Sequence, residues 1–108
     1  DIVRDFGDVR DVARAYLALL ACGVPGRVYN VCTGRPVRVG EIAERLAGLA
    51  RAPVRVVHDP SRARPRPWDC AALVGDPARL RADTGFTPAI PLETTLRDLL
   101  EALRAEAA

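Results

Sequence analysis

Arg62, Arg64 and Arg66 occupy alternate positions in "SRARPRPWDC" (61–70), with Pro60, Pro65 and Pro67 beside them. A guanidinium is a planar fork that meets two oxygens of one anion at once. Arginine is costly to immobilise, and the prolines on either side of Arg66 lower the ordering cost of binding by stiffening the chain. The stretch therefore predicts a rigid basic loop able to hold an anion. The plainer reading is a solvated basic loop.

Other chemistry is sparse. The chain has no GxGxxG, GxxGxxG or Walker loop. His58 is the single histidine, so no Ser-His-Asp set can be assembled. Cys22, Cys32 and Cys70 are odd in number and lack CxxC spacing, which indicates neither a disulfide framework nor a zinc site. Free thiols fit a reducing cytoplasm. The residues predict a chain that binds and does not catalyse by itself, with no catalytic, metal or cofactor residues of its own.

The elements that would position the loop fit one domain of 108 residues. Hydrophobic residues make up 49% and charged residues 28%, the balance of an ordinary soluble domain with a modest core. All sixteen basic residues are arginine, which reads as a GC-rich genome, so an exposed arginine carries little information by its type alone. No apolar run approaches the ~20 residues of a membrane span. The chain contains no methionine and opens inside a structured pattern, "DIVRDFGD", so it reads as a piece of a longer protein.

Residues 8–22 place Val9, Val12, Ala13, Tyr16 and Leu20 on one helical face. Asp8 is the expected N-cap, Asp11 reaches back in a capping box, and Gly23 stops the helix. "RVYNVC" (27–32) and "VRVVH" (54–58) are β-branched runs expected as strands. A helix over about 40–51, with Ile42, Leu46 and Leu49 inward, separates them, so they would pair in parallel. Proline excludes a helix or central strand from 59–72. Asp76 caps and Gly85 stops a short helix, and a last helix over about 91–106 buries Leu92, Leu96, Leu99 and Leu103. The class is α/β, helices packed on a few short parallel strands, and so small a sheet wants a neighbour.

Four segments in series carry a resemblance: "RDFGDVRDVARAY" (4–16), "GRVYNVCTGRPVRVGEIAERL" (26–46), "RPWDCAALVGDPARLRADTGFTP" (66–88) and "IPLETTLRDLLEAL" (90–103). Together they resemble the C-terminal, substrate-binding part of the extended short-chain dehydrogenases, the NAD-dependent epimerase/dehydratase family. Within it, "VYNVCTG" and "IPLETTLRDLL" look most like the GDP-4-dehydro-6-deoxy-D-mannose reductase and GDP-mannose 4,6-dehydratase branch. The resemblance implies a Rossmann-type parent whose N-terminal domain, absent from this chain, binds NAD(P) and carries the catalytic Tyr-x-x-x-Lys. Neither Tyr16 nor Tyr29 has a lysine four residues on, so neither matches that tyrosine. Residues 1–108 would then form a single C-terminal substrate-binding domain.

The family's Arg-Asp-aromatic motif falls on Arg4-Asp5-Phe6, which implies that Arg4 approaches a nucleotide with Phe6 nearby. Phe6 stands where one branch has tyrosine. The family's Arg-Pro-x-Asp, nine residues before a Gly-Asp, falls on Arg66-Pro67-Trp68-Asp69 when counted back from Gly75-Asp76. By resemblance Arg66 holds a diphosphate and Asp69 accepts from a ribose hydroxyl. Arg64-Pro65 also reads as Arg-Pro and stays as the alternative phosphate ligand. Arg35 and Arg38 flank the strand-to-helix turn, from which they could approach a nucleotide, though simple solvent exposure is the plainer reading.

The implied ligand is a nucleotide-diphosphate sugar, GDP-linked, in a cytoplasmic protein; an apolar docking face would allow self-association. Two readings from other classes compete. A structural or interaction domain with incidental arginines would show no preference between GDP and UDP. A nucleic-acid module would bind with steep salt dependence, but a net charge of +2 and five aromatic residues argue against it.

Overall fold

Asp5 ends the strand that has neighbours on both sides. The computed structural model describes residues 2–63 and 70–108. In it β1 (Val3–Asp5) lies between β2 (Pro36–Arg38) and β3 (Ala72–Leu73), in the order β2-β1-β3. β1 runs antiparallel to β2, with Arg4 opposite Val37, and parallel to β3, with Arg4 opposite Leu73. The sheet is thus mixed, where the sequence pattern predicted parallel pairing alone. Pro36 and the short β3 are tolerated because both outer strands are edges.

The expected strands at 27–32 and 54–58 do not form. A β-branched run becomes a strand only when another backbone completes its ladder. Side chains hold 27–32 instead. The Val28 carbonyl accepts from Arg79 Nη1 at 3.0 Å, and Tyr29 Oη donates to Asp83 at 2.6 Å and accepts the Val24 N–H at 2.9 Å. The class itself, helices on a small sheet, is as the pattern predicted.

The described residues form four helices, α1 (Val9–Cys22), α2 (Val39–Gly48), α3 (Ala78–Thr84) and α4 (Leu92–Ala107), with one 3₁₀ turn at Pro60–Arg62. Their ends obey local chemistry. The Asp8 carboxylate accepts the Arg10 N–H at 2.8 Å, and Asp76 accepts the Ala78 N–H at 2.9 Å. A Cβ on Gly23 would lie 2.5 Å from the Leu19 carbonyl oxygen that its own N–H closes upon, so the stop at this point requires glycine.

The apolar face of α1 points the other way from expectation. Val9 is 77% and Leu20 85% exposed, with Tyr16 and Leu17 also open, while Ala15 and Asp11 are buried. Two buried carboxylates decide this. Beyond Arg10 and Arg14 of α1 itself, Asp8 is bonded by Thr95 of α4 and Asp11 by the Ala89 and Ile90 amides of the 86–91 turn, and a buried charge without such partners costs more than exposed leucines. Among the described residues the buried apolar side chains are few: Ala15, Leu80 and Leu96. Leu99 and Leu103, expected inside, are more than half exposed. A radius of gyration of 16.9 Å exceeds the ~13 Å of a compact domain of this length. The chain is a thin layer, 48 × 40 × 19 Å, with much apolar surface uncovered.

Candidate functional site

The Asp5 carboxylate is a hub that ties three chain segments together. Its Oδ1 accepts from Thr33 Oγ1 at 2.5 Å and from the Thr33 N–H at 3.0 Å. Its Oδ2 accepts the Gly34 N–H at 2.8 Å and the Gly75 N–H at 3.3 Å. Burial works to raise the carboxyl's pKa, but the Thr33 hydroxyl and the three backbone N–H groups outweigh it and hold Asp5 below the ordinary range. Gly75 is confined by this arrangement: a Cβ there would lie 2.5 Å from the Cys32 Sγ. Desolvation, with the nearby Asp5 charge, pushes the Cys32 thiol up, which disfavours its thiolate.

Successive strand residues face opposite ways, so with Asp5 turned to the hub, Arg4 stands on the other face. Arg4 Nη1 donates to the Val3 carbonyl at 2.8 Å and to the Cys70 carbonyl at 3.0 Å. That second bond reaches the residue after the Arg-Pro-x-Asp motif. Arg64, Arg66 and Asp69, the predicted anion and hydroxyl contacts, lie outside the described residues. What the fold brings to Arg4 is the Cys70 carbonyl, the residue that follows Asp69 in the chain.

Phe6 lines a cavity of about 360 Å³ together with Val37, Phe86, Ile90 and the arginines Arg35 and Arg81. One wall is held from beneath by Asp11, which accepts the Ala89 and Ile90 N–H groups at 3.2 and 3.0 Å. Asp11 therefore does not close the expected capping box; its carboxylate is spent on the 86–91 turn. Arg14 binds Asp11 at 2.5 Å and stacks over Phe86 at 5.5 Å from the ring centre. Sequence reasoning singled out Arg35 and missed Arg81 and Phe86, whose separation along the chain hid their convergence.

Asp8 fastens this assembly to α4. It accepts from Arg10 through backbone and guanidinium and from Thr95 Oγ1 at 2.7 Å. The Arg10 hydrogen bond dominates and holds Asp8 well below the usual carboxylate range. Arg10 is raised in turn by Asp8 and by Asp98 at 2.9 Å. Among the described residues no cluster of His, Cys, Asp and Glu could hold a metal ion, and no helix is long and apolar enough to cross a membrane.

No protein-family profile matches the chain. Individual proteins do. The chain is 42% identical over 100 residues to the GDP-6-deoxy-D-mannose reductase of Pseudomonas aeruginosa, covering 93% of this chain and 32% of that protein. The structure of RMD from Pseudomonas aeruginosa complexed with NADPH superposes with a TM-score of 0.86 at 38% identity, covering 98% of this chain and 33% of the other. The UDP-glucose 4-epimerase of Thermotoga maritima, solved with UDP-glucose, gives a TM-score of 0.77 at 27% identity over 99% of this chain and 33% of the other. The chain thus spans about a third of the length of the proteins it matches. With these likenesses covering nearly the whole of it, the chain belongs to the NAD-dependent epimerase/dehydratase family of extended short-chain dehydrogenases, as a C-terminal portion of that fold.

Proposed function

We propose that this chain is the nucleotide-sugar-binding part of an NAD(P)-dependent sugar-nucleotide reductase, dehydratase or epimerase, and that its ligand is a GDP-hexose. In this reading Arg66 grips the diphosphate and Asp69 accepts from a ribose hydroxyl. Arg64 is the alternative fork, and Arg4 and Phe6 stand toward the nucleotide. Residues 1–108 are one substrate-binding domain. The cofactor is bound by a dinucleotide-binding domain outside this chain and supplies hydride transfer; this chain contributes binding and specificity. The uncovered face of α1 is where such a domain docks, and in its absence the same face drives self-association. Free Cys22, Cys32 and Cys70 suit a cytoplasmic protein.

The observation that supports this most is the bond from Arg4 to the Cys70 carbonyl. It draws the Arg-Asp-aromatic motif to Cys70, the residue that follows the Arg-Pro-x-Asp motif in the chain. The likeness to a GDP-linked reductase at 42% identity supports the GDP branch.

Calorimetric titration of the chain with GDP-mannose, GDP and UDP-glucose tests the reading, with Arg66→Ala beside the wild type. Saturable binding that prefers GDP ligands and falls at least tenfold in Arg66→Ala is expected. Preference for UDP-glucose would overturn the GDP assignment, and indifference to Arg66→Ala would overturn the phosphate clamp.

A further inference from the structure

Just before Arg64 the chain passes through a turn built on one acidic side chain. Asp59 is extended, at φ −108° and ψ 101°, as sterics favour before a proline, and Pro60 opens the 3₁₀ turn with its own φ already set. The Asp59 Oδ1 accepts the Ser61 N–H at 3.0 Å and the Ser61 hydroxyl at 2.6 Å. Two backbone bonds close the turn, from the Arg62 N–H to the Asp59 carbonyl and from the Ala63 N–H to the Pro60 carbonyl, both at 3.1 Å. The Arg62 guanidinium points back at the same carboxylate, its Nε 3.4 Å from Oδ2. So exposed a pair is worth little by itself, but it shows that the Arg62 side chain belongs to the turn.

The chain is held again directly after Asp69. Arg4 Nη1 donates to the Cys70 carbonyl at 3.0 Å, and the Val3 N–H donates to the Ala71 carbonyl at 2.8 Å. Anchors before and after a short stretch of chain reduce the arrangements open to it, and so lower the cost of ordering it around a ligand. The later anchor draws on β1. The earlier one depends on the Asp59 side chain, the acceptor at the start of its turn.

We propose that Asp59 is a positioning residue for the arginine stretch: its side chain caps the turn, sets the direction in which the chain leaves for Arg64 and Arg66, and draws Arg62 into the turn and away from the anion. What the anion is rests on the nucleotide-sugar reading; the turn and its cap do not.

Trypsin gives a readout that needs no ligand. The bonds after Arg64 and Arg66 lead into proline and resist the enzyme, so Arg62–Ala63 is the one cleavable bond between Pro60 and Cys70. That bond lies in the turn, which must open before a protease can take it. Asp59→Asn and Asp59→Ala both remove the charge, but only asparagine keeps an acceptor for the Ser61 N–H. In the full 108-residue chain, cleavage at this bond, identified by fragment mass, is expected to be about fivefold faster in Asp59→Ala than in Asp59→Asn, the usual effect of one cap acceptor. Calorimetric titration with GDP-mannose should show affinity about fivefold lower in Asp59→Ala than in Asp59→Asn for the same reason, and Arg62→Ala should match wild type. Equal cleavage of the two Asp59 variants overturns the cap. A cleavage difference with equal GDP-mannose affinities overturns the positioning role, as does a urea midpoint that falls in Asp59→Ala in step with its affinity. A loss of about tenfold in Arg62→Ala, the effect of removing a charged contact, makes Arg62 an anion ligand and overturns its place in the turn. If the cleavage difference appears while the wild type takes up no GDP-mannose, the nucleotide-sugar reading falls and the capped turn stands.

Discussion

Arg4 Nη1 and the carbonyl oxygen of Cys70 lie 3.0 Å apart across sixty-six residues of chain, which closes β1 against the end of the arginine loop. The parallel pairing of Arg4 with Leu73 sets the register for this contact. A guanidinium held this way adds both a tether and a positive charge at the loop's exit.

Arg4→Ala should therefore lower affinity for GDP-mannose by about tenfold while costing only ~1 kcal/mol of stability, the usual worth of one hydrogen bond. Titration calorimetry and urea unfolding on the same preparation check this. A stability loss with unchanged affinity would make Arg4 purely structural.

Removal of the Asp5 hub reaches further. Asp5→Ala strands donors from Thr33, Gly34 and Gly75, and a loss of about 3 kcal/mol is expected from urea unfolding. Asp5→Asn keeps the shape and the acceptor oxygen on one side only, so it should fall between wild type and Asp5→Ala.

Acid should unfold the chain through two carboxylates. Asp5 and Asp8 are both held below the ordinary value of 3.8, so in this range the unfolded chain binds more protons than the folded one. Their contribution is complete above the unfolded value and is lost as pH falls below 3.8 toward the lower folded values. Unfolding midpoints measured from pH 6 to pH 2.5 should drop across that window, and less so in Asp8→Asn, which starts less stable at pH 6.

Gly75→Ala drives a methyl group to 2.5 Å from Cys32 Sγ. Destabilisation of about 1–3 kcal/mol is expected. Cys32→Ala should relieve part of it in the double variant, because the Cys32 Cβ at 2.7 Å remains. Additive losses in that cycle would show that the clash is not the cause.

Leu20 stands 85% exposed on α1 and should be replaceable by glutamate within about 0.5 kcal/mol. If the face of α1 drives self-association, Leu20→Glu should shift the sedimenting species to monomer. A wild type that sediments as a monomer at high concentration would remove that proposal.

The helices were legible in the sequence because their signals are local. Asp8 and Asp76 supply side-chain acceptors two residues from the amides they cap, and Gly23 and Gly85 sit where the observed helices stop. The strands were not legible. β1 is three residues of mixed type, unremarkable until β2 and β3 supply its ladders, while the β-branched 27–32 run lacks a partner and stays outside the sheet. The face of α1 misled for a related reason: apolar spacing marks a stripe but not what covers it, and the carboxylates of Asp8 and Asp11 turned the helix.

The sequence by itself determined the helices, their ends and the family, each carried by residues close along the chain. Only the tertiary structure decided that Arg4 meets the loop's end, that Asp5 binds Thr33 and Gly75, and that Arg35 and Arg81 share a cavity. Those relationships join residues up to seventy positions apart, and no local periodicity encodes them, because they follow from which backbone amides and charges find partners once the layers pack.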